Sequence, residues 1–223
     1  MKTSTFEWEK KLFKKGYEIV VGIDEAGRGP LAGPVVASAV FLKNQDLLAD
    51  DFDEKELNLV RDSKKLSPRQ REKAFDFVHE HFHAGVGICN QDTVDRMNIL
   101  EASFLAMKEA ISDLRRNLKN KIDEDRLVIL VDGNKKIPNF SLRQEAVIGG
   151  DGIVKSISAA SIIAKVTRDR IMLEMHEIYP EYDFDKHKGY GTKLHMEKIH
   201  KYGPCKIHRK SFEPMKSLAK SGV

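Results

Sequence analysis

The sequence predicts an α/β protein built on a mixed β-sheet flanked by helices. Two apolar, β-branched runs, Tyr17–Ile23 and Pro34–Leu42, come in succession before any long helical pattern. Strand-like and helix-like segments then alternate, and Leu127–Val131 is continuously apolar, as in a strand covered on both faces. Residues 1–16 form an N-terminal segment. The first two runs are joined by a connection punctuated with Gly and Pro and read as paired strands. Ser67-Pro68-Arg69-Gln70 is a capping box with Pro at the first helical position, so a helix is expected from there to about Phe82. Ala84–Cys89 returns as a strand. Ile99, Ala102, Leu105, Ala106, Ile111 and Leu114 share one face of a helix, or a broken helix pair, over Asp92–Leu118. Leu127–Val131 and Gln144–Ile148 follow as strands, the second running into Gly149-Gly150-Asp151-Gly152. A helix over Lys155–Ile178 carries a small-residue face, Ala159, Ala160, Ser161 and Ala164, that permits close approach to a sheet. Thr192 caps a short helix to Tyr202, and Pro214–Lys220 forms another. A boundary after Tyr179-Pro180 separates the core, 17–180, from a basic helical extension, 181–223, packed on it.

The chain of 223 residues is 41% hydrophobic and 32% charged, long enough to bury a core and too apolar for disorder. Its two cysteines, Cys89 and Cys205, form no CxxC pair and read as free thiols in a reducing compartment. No apolar run has the length of a bilayer span, and Met1–Lys15 lacks the apolar core of a secretion signal, so a cytoplasmic location is expected. The net charge of +4 hides an asymmetry. Lys186–Lys220 holds ten Lys or Arg against Glu197 and Glu213, interleaved with His187, His195, His200, His208, Tyr190 and Tyr202, whereas Asp46–Glu56 holds six acids and one lysine. A basic stretch sprinkled with aromatics suits a polyphosphate backbone, although solvated helix faces give the same count.

The sharpest local feature is Val20-Val21-Gly22-Ile23-Asp24-Glu25-Ala26-Gly27-Arg28-Gly29-Pro30. Two acids end an apolar strand before a glycine loop, and carboxylates buried there need cations. Neighbouring strand residues face opposite ways, so the strand bends at the glycines or the longer Glu25 reaches around. Read alone, the pair favours an acidic turn open to water. The same design recurs at Val131-Asp132-Gly133 and at Gly150-Asp151-Gly152. Ligands gather at strand ends in α/β sheets, so Asp24, Glu25, Asp132 and Asp151 are candidates for one patch. Four carboxylates together repel unless divalent cations are bound, and hard oxygen donors suit Mg²⁺ or Mn²⁺ rather than zinc. Two such ions about 4 Å apart form an apparatus for in-line attack at phosphorus.

Gly27-Arg28-Gly29-Pro30-Leu31-Ala32-Gly33 is neither a dinucleotide fingerprint nor a P-loop: its third glycine is displaced by one, a strand follows it, and no Gly-Lys-Ser/Thr is present. Its bare peptide groups could meet a sugar edge and test for a 2′-hydroxyl, with Arg28 on a phosphate. Lys64 and Lys65 precede a helix N-terminus and could hold phosphate or stand in a solvated loop. Lys165 and Arg168 reach either the site or the surface. Tyr190, between glycines, could stack on a sugar or base, or sit in a simple turn. His79, His81 and His83 lack a third ligand pattern for metal, and the acids from Asp50 to Glu56 lack the central glycine of a calcium loop.

Together, Asp24–Pro34, Asp62–Leu66, Val131–Gly133, Gly150-Asp151, Ser158–Asp169 and His187–Thr192 resemble the type 2 ribonucleases H, specifically bacterial ribonuclease HII, in the family's order and over about Tyr17 to Pro214. The resemblance implies a ribonuclease H-like mixed sheet flanked by helices, with a C-terminal helical extension. It also implies hydrolysis of the RNA strand of RNA/DNA hybrids and incision 5′ to ribonucleotides embedded in duplex DNA. By position, Asp24, Glu25, Asp132 and Asp151 are implied to bind two Mg²⁺ or Mn²⁺ ions, with Asp24 bridging. One ion would activate the attacking water and the other would stabilise the departing 3′ oxygen, leaving 3′-hydroxyl and 5′-phosphate ends. Gly27, Arg28 and Gly29 resemble the family's ribose-sensing loop, Tyr190 its tyrosine beside the sugar, and Lys64, Lys165 and Arg168 its phosphate contacts. A monomer without membrane contact is expected. Two rival classes share parts of the pattern: a small-molecule phosphatase would use the acids without the basic tail, and a noncatalytic hybrid-binding module would keep the basic surface without needing the acids.

Overall fold

The computed structural model describes residues 3–45, 48, 57–117 and 123–220; the acidic stretch Asp46–Glu56 lies outside them apart from Leu48. Five strands, β1 (Ile19–Ala26), β2 (Val35–Leu42), β3 (Phe82–Cys89), β4 (Leu127–Asp132) and β5 (Gln144–Val147), form one sheet in the order β3-β2-β1-β4-β5. β1, β2 and β3 are antiparallel neighbours, whereas β4 runs parallel to β1 and β5 parallel to β4. The helices are α1 (Glu7–Lys14), α2 (Pro68–His81), α3 (Gln91–Met97), α4 (Ile99–Arg116), α5 (Lys155–Ile178), α6 (Phe184–His187), α7 (Lys193–Tyr202) and α8 (Met215–Lys220). The mixed sheet flanked by helices is the architecture that the apolar runs predict.

Every residue of β2 is buried, because helices cover both faces of the sheet. Alternation sorts the central strands. Val21, Ile23, Ile129 and Val131 pack against Ala102, Ala106, Ala110 and Leu114 of α4. Val20, Val128 and Leu130 face Ile157 of α5 and Leu12 of α1. Where α5 crosses β1, the strand presents Gly22: a Cβ there would lie 2.2 Å from the carbonyl carbon of Ser156, so only glycine admits the helix at this distance. That contact brings the start of α5, and the turn before it, against the end of β1.

Several boundaries differ from the sequence reading, each for a local reason. β1 continues past Ile23 through Ala26, pairing Asp24, Glu25 and Ala26 with Ser38, Ala37 and Val36 of β2. The N-terminal segment contains α1, which buries Glu9 and Leu12 and at eight residues is too short for its periodicity to stand out in the sequence. Of the two alternatives for the pattern from Asp92, the structure has the broken pair: the helices part at Asn98, whose φ of 72° ends α3 and whose Oδ1 accepts the N–H groups of Leu100 and Glu101 to cap α4. Phe82 opens β3 instead of closing α2. The capping box at Ser67 forms in both directions, with Ser67 and Gln70 exchanging hydrogen bonds. Beyond α5, Tyr182, Phe184 and Ile207 pack with Ala32 and Met172, and Ala32 forms a bridge to His208, which ties the C-terminal segment to the loop between β1 and β2.

Candidate active site

Parallel pairing of β1 and β4 sets Ile23 against Val131, so Asp24 and Asp132 follow as neighbours on the face that α5 covers. The turn before α5 supplies Asp151, whose N–H donates to Asp132 Oδ1 at 3.4 Å and whose carbonyl accepts from Ser158 Oγ at 2.7 Å. Glu25, one residue on, has the opposite strand parity and borders a 140 Å³ cavity with Arg28, Ser103, Phe104, Asp132 and Lys135. The four acids thus meet at the strand ends from both faces of the sheet. No bend at the glycines is needed.

Asp24 is only 5% exposed, so it is not a solvent-facing turn residue. Burial, then the charges of Glu25 and Asp132, hold its carboxyl well above the ordinary range. Burial also raises Glu25 against the pull of Arg28, and burial with the charge of Asp151 raises Asp132. Arg28 pairs with Glu25 at 3.2 Å and Lys64 with Asp151 at 3.5 Å. Among the described residues, Asp24 and Asp132 have no ion pair. Nor do any three His, Cys, Asp or Glu side chains among them close into a cage around one point. What the site offers is a field of hard oxygen donors under mutual repulsion, and its chemistry fits a divalent cation such as Mg²⁺ or Mn²⁺ better than a thiolate- or imidazole-seeking metal.

The loop after β1 is shaped by two buried guanidiniums. Gly27 and Gly33 adopt φ of +97° and +85°, a region that disfavours side chains. Arg209, fully buried, donates to the carbonyls of Gly27, Arg28, Pro30 and Gly33 at 2.6–3.0 Å. Arg168 donates to those of Ala32, Pro34 and Lys188. The resemblance implies a phosphate contact at Arg168. Its complete burial and its bonds to carbonyls leave no free face for one, and its work is to hold the loop. Arg209 escaped that reading because a lone arginine in a basic stretch is ordinarily at the surface. The outer side of the loop is open: Arg28 and Gly29 are exposed, and a Cβ on Gly29 would sit 4.0 Å from the Tyr190 ring.

Tyr190 is 41% exposed beside that opening, with Lys165 Nζ and Arg168 Cζ each 5.7 Å from its ring centre. Lys165 is held by Asp169 at 2.7 Å. A buried relay fixes the turn that carries Tyr190. Cys205 N–H donates to His208 Nδ1 at 2.9 Å, so His208 carries its proton on Nε2 and donates to His195 Nε2 at 3.0 Å; His195 Nδ1 then donates to the Tyr190 carbonyl at 3.0 Å. Burial pushes both rings down to about 4, so they are neutral at physiological pH. His187 is buried in the same stack. Three of the histidines that the sequence counts in a phosphate-seeking tail are therefore structural. His79, His81 and His83 likewise meet Phe75, Phe77 and Phe41, and no metal group forms from them.

A family model described as Ribonuclease HII matches residues 21–215. The chain is 49% identical to ribonuclease HII of Fusobacterium nucleatum over 90% of its own length and 88% of the relative's. It is likewise 49% identical to that of Caldicellulosiruptor bescii, over 93% and 92%. Among solved structures, ribonuclease H2 of Pyrococcus horikoshii superposes with a TM-score of 0.67 at 28% identity, covering 91% of this chain and 98% of that one. A ribonuclease HIII crystallised with Mn²⁺ shares the fold, with a TM-score of 0.66 at 18% identity over 91% of this chain and 70% of that one.

Proposed function

Because this chain belongs to the ribonuclease HII family, metal-dependent ribonucleases acting on the RNA of RNA/DNA hybrids, we propose that it also incises duplex DNA on the 5′ side of an embedded ribonucleotide. The observation that carries this reading is the nearness of Asp24, Asp132 and Asp151, from three distant segments, to a glycine loop whose open face lies beside Tyr190. Asp24, Glu25, Asp132 and Asp151 would hold the divalent ions, Mg²⁺ or Mn²⁺, two of them when substrate is bound. When bound, such ions supply Lewis-acid activation of water and charge stabilisation at the leaving 3′ oxygen.

The chain's own residues do the rest. On the open face of the loop Gly27-Arg28-Gly29, whose Gly27 and Arg28 carbonyls Arg209 holds, the free peptide N–H groups meet the ribose edge, where a 2′-hydroxyl can accept and a deoxyribose cannot. Tyr190 stacks against the sugar at the RNA-to-DNA step. Arg28, paired with Glu25, and Lys64, beside Asp151, stand at the mouth of the site, where each would pair with a substrate phosphate once its acid is engaged elsewhere. Lys165 adds positive charge next to Tyr190. Among the described residues no helix is long and apolar enough to cross a membrane, and the two free thiols suit the reducing cytoplasm in which we place the enzyme as a monomer.

The test is a labelled DNA duplex with one ribonucleotide, incubated with Mg²⁺, Mn²⁺ or chelator, and mapped at the cut. Cleavage 5′ to the ribonucleotide, with 3′-hydroxyl and 5′-phosphate ends and none in chelator, is expected. An all-DNA duplex cut as fast would end the sugar-sensing reading.

A further inference from the structure

Glu9 belongs to none of the motifs above, yet among the described residues it is the most deeply placed acid outside the site, at 1% exposure. Its Oε1 accepts the Ser156 N–H at 2.8 Å, while Oε2 is buried without a hydrogen-bond partner. Ser156 lies in the first turn of α5, whose N-cap is Val154, a residue with no side-chain oxygen to offer the free N–H groups there. The Glu9 carboxyl from α1, 147 positions away, takes that place, burial raising its pKa against the pull of the Ser156 hydrogen bond.

The contact is one of several that join three segments. Thr5 N–H donates to the Ile153 carbonyl and Lys155 N–H to the Thr5 carbonyl, stitching residues just before α1 to the turn before α5. Lys155, 3% exposed and with burial pushing its ammonium down to about 8, donates to the carbonyls of Leu57 and Val60. Ser4 Oγ donates to Val60 as well. Four residues after Val60 comes Lys64, on Asp151; two residues after Ser156 comes Ser158, whose hydroxyl holds the Asp151 carbonyl. Each path leads to one acid.

We propose that Glu9 is a positioning residue for Asp151: by capping α5 from outside, it makes α1, the segment before Lys64 and the turn 150–154 one rigid support. The inference rests on the reading of Asp151 as an ion-binding acid. Its test compares Glu9→Ala, Glu9→Gln and Asp151→Asn with the unaltered protein in three measurements: Mn²⁺ affinity without substrate, amide exchange over residues 153–158, and kcat against KM on an RNA/DNA hybrid. Glu9→Ala should speed exchange of the Ser156 amide, weaken Mn²⁺ binding about tenfold and lower kcat about tenfold, with KM within about twofold. Glu9→Gln, which keeps the acceptor oxygen, should recover most of each loss. Where Glu9→Ala does not fold, Glu9→Asp, which keeps the carboxyl but shortens the reach, should move the same quantities in the same direction. Faster exchange with Mn²⁺ affinity and kcat unchanged would make the cap merely structural and overturn the proposal. Asp151→Asn with normal Mn²⁺ affinity and cleavage would instead remove the reading of Asp151 itself, and the proposal with it.

Discussion

Asp132→Asn is expected to lower cleavage of an RNA/DNA hybrid by about 10³-fold or more while leaving hybrid affinity within a few-fold. The substitution is isosteric, and the amide oxygen can still accept the Asp151 N–H that Asp132 Oδ1 takes at 3.4 Å. The turn carrying Asp151 therefore stays in place. What is lost is one negative donor from the four acids proposed to hold the divalent cation. Stability should hold or rise slightly, since the charge of Asp132 is among those that penalise ionised Asp24. Single-turnover cleavage and equilibrium binding by fluorescence anisotropy separate the two effects. Undiminished cleavage would take Asp132 out of the reaction.

Arg209→Met is expected to destabilise the protein by about 3 kcal/mol and to cut kcat/KM on a single-ribonucleotide duplex by about 10²-fold. Methionine fills similar space without a donor, so the carbonyls of Gly27, Arg28, Pro30 and Gly33 lose their shared partner. Water cannot replace it in a fully buried position. Arg168 continues to hold Ala32 and Pro34, so the loop loosens at its outer part, where Gly29 faces Tyr190. Arg209→Lys should rescue little, because a point ammonium cannot reach four carbonyls spread around a planar fork. Urea unfolding and steady-state kinetics check both halves. A variant as stable and as active as the parent would show that the loop needs no clamp.

Strands β1 to β4 were legible because each is an apolar run bounded by Gly, Pro or charge, whereas β5, Gln144–Val147, has only the apolar Ala146 and Val147 and shows chiefly by the glycine turn that follows it. The acids were legible because each ends such a run or sits in a glycine turn. Their meeting is legible as an expectation from that recurring design, but its geometry is not, since it depends on the parallel register of β1 with β4 and on Gly22 admitting α5, both products of distant pairing. The strand's continuation through Asp24 and Glu25 was hidden because charged residues ordinarily mark a strand's end. Burial of Arg168 on α5, and of Arg209, His195 and His208 in the basic tail, runs against the usual preference of these residue types, so composition alone does not show it. Glu9 left no periodic trace because it is a polar residue on the buried face of a short helix.

The central claim is that three chain segments gather acids whose repulsion a divalent cation relieves. Burial and mutual charge raise Asp24, Glu25 and Asp132 above their unfolded values near about 4. The stability linked to these groups is therefore complete below about pH 4 and is lost as pH climbs through the raised values, where the folded state must give up protons it holds more tightly than the unfolded chain. Mg²⁺ favours the ionised acids, so its stabilisation should grow over the same window. Thermal unfolding with and without saturating Mg²⁺ should show a gain in Tm several degrees larger at pH 8 than at pH 5 for the parent, and a much smaller gain for Asp132→Asn. An equal gain at both pH values, or one that Asp132→Asn leaves intact, would contradict it.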